Sequence, residues 1–254
     1  MVEWGVPLLD AALLVALLAA FFAGFASGLT GFAFALISVP LFLLVYDPST
    51  VVALIGVLAV FINIVVVRDS YREADWRAVL ALLPAALLGL FVGVEILAAV
   101  DPDYIRLGVG IVVVASVVFL VRETSLPGAE GRLGPVVAGF SSGALSTSAG
   151  LAGPPIALLF ASRKLPKNRF RGSSAAYFLI IGVAGLPVLV HSGIVNGENA
   201  LLAITLVPAS LLGKIVGTSL LARLSEETFR RVTLTIVVLT GVLGVATAVR
   251  ALFW

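Results

Sequence analysis

Apolar stretches divided by short polar ones run the length of the chain, and their lengths define the elements. In order they cover residues 8–26, 32–46, 49–67, 76–99, 104–121, 134–143, 151–162, 172–191, 198–221 and 229–248. Most approach the roughly 18–25 residues that carry a helix across a hydrocarbon core ~30 Å thick. Segments 134–143 and 151–162 are too short to cross separately, so together they predict a hairpin that enters the membrane and turns back. Strands of a membrane β-barrel would alternate polar and apolar residues over about ten positions, and no such alternation occurs. The pattern predicts an all-α polytopic membrane protein.

Composition strengthens this reading and removes other classes. With 61% hydrophobic and 12% charged residues, and a mean hydropathy of +1.18, too little polar surface remains to cover a soluble domain. The first apolar run follows Glu3 with no basic residue before it, which favours a membrane helix over a cleaved signal peptide. The absence of cysteine excludes disulfides, a thiolate metal site and a thiol nucleophile. With one histidine and no H-E-x-x-H or Walker A motif, neither an enzyme, a metal site nor an ATP-driven machine is expected. No cofactor is implied. The partners expected are lipid, a small solute and a coupling proton or other ion, with no nucleic acid; the pattern assigns no oligomeric state.

Loop charge gives an orientation, because Lys and Arg resist translocation. Arg163, Lys164, Lys167, Arg169 and Arg171 form a run of five cations without an anion, which fixes that stretch in the cytoplasm. Threading outward from it, with 134–162 as a re-entrant pair, puts Arg68, Arg72, Arg77, Arg122, Arg132, Arg223, Arg230 and Arg231 inside as well. Thirteen of the sixteen basic residues are then cytoplasmic, leaving Arg106 and Arg250 outside and Lys214 in the membrane. Both termini fall outside, and the expected location is the cell's inner (plasma) membrane.

The chain also repeats itself. Ala23-Gly24-Phe25-Ala26-Ser27-Gly28 returns as Ala138-Gly139-Phe140-Ser141-Ser142-Gly143, followed at the same distance by Pro40 and Pro155; from Gly24 to Gly139 the offset is 115 residues. Pro84-Ala85-Ala86-Leu87-Leu88-Gly89, ending on Gly93, returns as Pro208-Ala209-Ser210-Leu211-Leu212-Gly213, ending on Gly217, at an offset of 124 counted from Pro84 to Pro208. Five segments per copy is an odd number, so the second copy is expected upside down. The organisation predicted is a first repeat over 1–122, a cytoplasmic linker over 123–133 and a second repeat over 134–254. These form two inverted-topology repeats of about five helical segments each, with re-entrant or broken helices near the midplane. Asp101 and Ser225 stand at matched positions suited to helix caps, and the four recurring prolines are expected to set kinks.

Candidate chemistry lies in the breaks. Ser27, Gly28, Thr30 and Gly31 in one copy, and Ser141, Ser142, Ser146, Thr147 and Ser148 in the other, put small hydroxyl-bearing residues at membrane depth. Interrupted backbone is tolerated there only if it is buried in protein or lines a wet cavity. A helix restarting after such a break points free N–H groups and a positive dipole end into the gap, which suits an anion. The competing reading is that small residues merely let helices pack closely. Lys214 stands where the other copy has Leu90, so duplication does not require a cation there; it either binds the anion or snorkels to the cytoplasmic face. Asn63 either binds substrate or bonds a neighbouring helix. Glu95 and His191 read as interfacial residues, and Ser173, Ser174 and Tyr177 rank below the breaks.

The order, duplication and spacing of these motifs, over nearly the whole chain, resemble the TauE/SafE sulfite exporter family, also called toluene sulfonate uptake permeases. The resemblance implies a secondary transporter of small sulfur-containing or organic anions such as sulfite, sulfoacetate and other sulfonates. Phe32 and Phe34 in one copy, against Ser146, Thr147 and Ser148 in the other, mark where substrate choice is expected. The alternative from another class is a structural or assembly membrane protein whose breaks pack dry.

Overall fold

The computed structural model describes residues 11–121, 131, 133–221, 227, 228, 231 and 235. Ser225, most of the linker and most of the tenth predicted segment lie outside them. Nine α-helices follow one another among the described residues: α1 (Ala11–Thr30), α2 (Phe34–Phe42), α3 (Pro48–Ser70), α4 (Trp76–Ala99), α5 (Pro102–Val121), α6 (Leu133–Ala149), α7 (Gly153–Ser162), α8 (Lys167–His191) and α9 (Gly197–Leu221). A single 3-10 turn, Tyr71–Glu73, links α3 to α4, and no strand occurs among these residues.

Local chemistry starts several of these helices. The Asp47 carboxylate accepts from Thr50 N at 3.0 Å and Pro48 occupies the first turn of α3. Asp75 accepts from Ala78 N at 3.1 Å ahead of α4, and Asp101 accepts from Asp103 N at 2.9 Å ahead of α5, as its expected capping role requires. Of the recurring prolines, Pro40, Pro84 and Pro208 lie inside helices. Pro155 instead lies in the first turn of α7, where its missing N–H breaks no helical bond.

α1, α3, α4, α8 and α9 are each long and apolar enough to cross a membrane. Large apolar side chains such as Leu18, Leu88, Phe91, Leu133 and Leu212 stand exposed on the outer surface, as lipid contact requires. The chain is a multi-pass, all-helical membrane protein.

The most extensive helix contacts are α1 with α9 and α4 with α6. Glycines make both. A Cβ built on Gly24 would lie 2.0 Å from Ser210 O and one on Gly213 2.0 Å from Phe21 O, while in the other pair one on Gly143 would lie 2.0 Å from Ala86 O. Residue numbers rise together along each contact, so both pairs run parallel. Lipid offers no hydrophobic drive for helix association, so such close backbone packing carries the binding energy instead.

The two crossings are duplicates of each other, in a register different from the one the motifs suggest. Gly24 on Ser210 corresponds to Gly143 on Ala86, and Gly213 on Phe21 corresponds to Gly89 on Phe140. From Gly24 to Gly143, or Phe21 to Phe140, the offset is 119 residues, four more than the motif match gives. Four residues are about one helical turn, so the slide keeps the same face in contact. It puts Thr147 opposite Leu90 where the first copy puts Gly28 opposite Lys214.

Candidate functional site

Each copy is interrupted by a glycine with positive φ. Gly31 (φ 82°) ends α1 and Gly150 (φ 72°) ends α6, conformations that L side chains rarely adopt. Gly31 N donates to Ser27 O at 2.8 Å and Gly150 N to Ser146 O at 3.2 Å, again at an offset of 119. The breaks are shorter than the sequence suggests. Helix continues through Thr30 and through Ser141–Ala149, because hydroxyls there donate to their own helix: Thr30 Oγ1 to Ala26 O at 2.9 Å, Ser148 Oγ to Ala144 O at 2.7 Å. Past Gly150 the chain folds back, as expected of a hairpin. Ser142 Oγ donates to Ala152 O at 2.6 Å, although ten residues of straight helix would separate them by ~15 Å. The two breaks also touch, since a Cβ on Gly153 would lie 3.2 Å from Phe32 O.

A cavity opens between the breaks, α3 and α8. It gives the centres of water-sized spheres ≈ 50 Å³, several times the ~10–15 Å³ needed for one water. Ser27 and Gly31 line it from one copy, Ser146 and Thr147 from the other, with Asn63 from α3 and Phe178 from α8. The duplication is visible in the walls: Ala59 and its counterpart Phe178 both line the cavity, as do Asn63 and its counterpart Gly182, each pair 119 residues apart. Two of the polar groups are partly spent on the fold. Asn63 Nδ2 donates to Ala59 O at 2.7 Å, and Thr147 Oγ1 to Leu90 O at 2.6 Å.

The other candidates lie around this cavity, not on it. Gly28 is covered by the Lys214 carbonyl. Thr30 Oγ1 accepts from Phe32 N at 3.3 Å and Ala33 N at 3.1 Å, so it satisfies donors at the restart of the chain. Ser141 is half-buried on α6, and Ser142 and Ser148 bond to carbonyls. At the second restart, Pro154 and Pro155 in the first turn of α7 carry no N–H, which removes two of the backbone donors expected to face an anion. Lys214 is 3% exposed, and its Nζ donates to Asp69 Oδ2 at 3.0 Å. Glu95 and His191 are exposed. Ser173 Oγ accepts from Asp75 N at 2.8 Å, whereas the buried Ser174 hydroxyl has no hydrogen-bond partner among the described residues.

The ends of the bundle beside the cavity differ in chemistry. At one end, Val52 of α3, Val94 of α4 and Leu189 of α8 form a small apolar cluster. Their counterparts in the other copy, by the offsets of 119 and 124, are Arg171, Thr218 and Ser70. These gather at the opposite end: Arg171 Nη2 donates to Thr218 Oγ1 at 3.3 Å, and a Cβ on Gly172 would lie 2.7 Å from Ser70 O.

Arg171 corrects the sequence reading, which placed it in a cytoplasmic loop. α8 begins at Lys167, so Arg171 is already within the helix; it is 7% exposed, and its Nε has no acceptor among the described residues. The legible signal was the run Gly172-Ser173-Ser174 that follows it, since small residues mark a helix face pressed against its neighbours.

No match was found among curated proteins or among solved structures. A family model described as Sulfite exporter TauE/SafE matches residues 16–243 of the 254, a span that includes both glycine crossings, both breaks and every residue of the cavity. The chain therefore belongs to the TauE/SafE sulfite exporter family.

Proposed function

We propose that this protein is a secondary transporter for small sulfur-containing or organic anions, with sulfite, sulfoacetate and other sulfonates as its substrate class. The observation that carries the reading is that a family whose name is sulfite export has, in this chain, a cavity built where the broken helices of both copies meet. Ser27, Gly31, Asn63, Ser146 and Thr147 are the polar groups that would contact the substrate there. Gly28, Thr30, Ser141, Ser142 and Ser148 shape the breaks, and Lys214 ties α9 to the end of α3.

Transport proceeds by alternating access between two inverted repeats, over 1–122 and 134–254, joined by the linker 123–133. Inversion is supported by the contacts: α1 runs with α9 and α6 with α4, while the end of α4 shares a cluster with the start of α3, and Thr218 of α9 lies near the opposite end of α3. Exchanging the conformations of two such copies turns an outward-open cavity into an inward-open one. A proton or another ion moving down its gradient would drive accumulation. The protein sits in the inner (plasma) membrane with both termini external and performs no catalysis.

Flux into proteoliposomes tests the reading. Labelled sulfite or sulfoacetate should enter faster than in protein-free vesicles and saturate with concentration. If sulfite, sulfonates and small carboxylates all fail to exceed the control under proton and sodium gradients, the reading is wrong.

A further inference from the structure

We infer that Arg171 is the residue whose positive charge meets the anionic group of the substrate. The inference rests on the transporter reading above and names the charge that the cavity walls lack.

The argument begins with cost. A guanidinium stays charged at any pH the protein meets, and a buried charge without a partner is expensive. Arg171 is 7% exposed, and among the described residues no carboxylate forms an ion pair with it. Asp69 exerts a longer-range pull on it but is itself engaged by Lys214. Among the described residues, the one hydrogen bond that Arg171 makes is to the neutral Thr218 hydroxyl, and its Nε has no acceptor.

Position supplies the next step. A Cβ on Gly31 would lie 2.9 Å from both Cα and Cγ of Arg171, so the arginine stem is pressed onto the glycine that ends α1 and lines the cavity.

Duplication supplies the last step. The counterpart of Arg171 is Val52, packed in an apolar cluster with Val94 and Leu189. The fold therefore does not need a cation at this position, and a valine fills the equivalent place in the other copy. What the other copy lacks, and this end has, is a fork of N–H donors suited to two oxygens of one planar or trigonal anion, as sulfite, sulfonates and carboxylates present.

Binding measurements on protein in lipid nanodiscs, by calorimetry and thermal shift with sulfite and sulfoacetate, test this. Arg171→Met should bind at least about tenfold more weakly than wild type, in keeping with loss of a charge-assisted hydrogen bond, and Arg171→Lys should fall between. In anion-free buffer Arg171→Met should melt no lower than wild type, because it removes a buried charge that no carboxylate pairs among the described residues; a purely structural arginine would give a lower melt and unchanged affinity. Wild-type affinity in Arg171→Met overturns the inference while leaving the transporter reading standing. A wild type that binds and carries no small anion overturns both. Should Arg171→Met fail to fold, Arg171→Lys decides, with unchanged affinity overturning the assignment.

Discussion

The Lys214 ammonium donates to the Asp69 carboxylate across 3.0 Å, joining the middle of α9 to the last turn of α3. Lys214 is buried at 3% exposure while Asp69 is 46% exposed, so the pair has one dry partner and one wet one. Asp69→Asn leaves the cation buried alone and should cost about 1–3 kcal/mol, between the ~0–1 of exposed pairs and the ~3–5 of buried ones. Adding Lys214→Met should restore most of that loss. Thermal melts of the two single variants and the double variant check the sign of the coupling.

The glycine crossings should be intolerant of any side chain. Gly24→Val and Gly143→Val both drive a branched group into a carbonyl of the neighbouring backbone, which cannot withdraw as a side-chain tip would. Each should cost at least about 1–3 kcal/mol, as overpacking does. Gly108 on α5 faces open space, and Gly108→Ala should be neutral or slightly stabilising. Melting of the three variants in one detergent makes the comparison.

Thr147 is the counterpart of Gly28 in the structural register, and its hydroxyl takes up the Leu90 carbonyl at 2.6 Å. Thr147→Val keeps the shape and removes that bond. Stability should drop by about 0.5–1.5 kcal/mol. Since Thr147 also lines the cavity, anion affinity should fall with it, whereas Ser219→Ala, exposed on α9, should change neither. Paired melting and binding measurements separate the two effects.

Asp47 lies outside the membrane-spanning segments. Partial burial pushes its carboxyl up, but hydrogen bonds from the Thr50 and Ser49 side chains and the Thr50 backbone outweigh that and hold it at about 2, below the ordinary 3.8. A folded value below the unfolded one means the stabilisation is complete above the ordinary value and is lost as pH falls through about 2. Asp47→Ala should therefore lower the melting temperature at neutral pH, a cap being worth about 1 kcal/mol. The gap to wild type should narrow steadily below about pH 4. A gap that stays constant down to pH 2 would contradict the assignment.

Much of the architecture was legible before any coordinates. Segment length identified the membrane helices, Asp101 marked where α5 begins, and the paired glycine motifs announced a duplicated chain. The break ends were less legible. Ser and Thr read as helix interrupters, yet Thr30 and Ser148 donate to their own helix carbonyls, so each break narrows to the three residues 31–33 and 150–152. Of the expected site residues, Ser27, Gly31, Asn63, Ser146 and Thr147 share one cavity, whereas Lys214 is held by Asp69, a residue 145 positions away.

By itself the sequence determined what composition and period control: a polytopic helical protein, duplicated, broken twice at small residues, in a family the motifs already suggest. Tertiary structure decided the register of the duplication and the whereabouts of the charge. Small residues recur every fourth position in both copies, so a motif match cannot distinguish one helical turn from the next, and only backbone contact between α1 and α9 and between α4 and α6 fixes it. A cation at a helix start reads the same in sequence whether it is solvated or buried. Packing of α8 on Gly31 and Ser70 encloses Arg171, because that burial depends on helices more than a hundred residues apart in part of the chain.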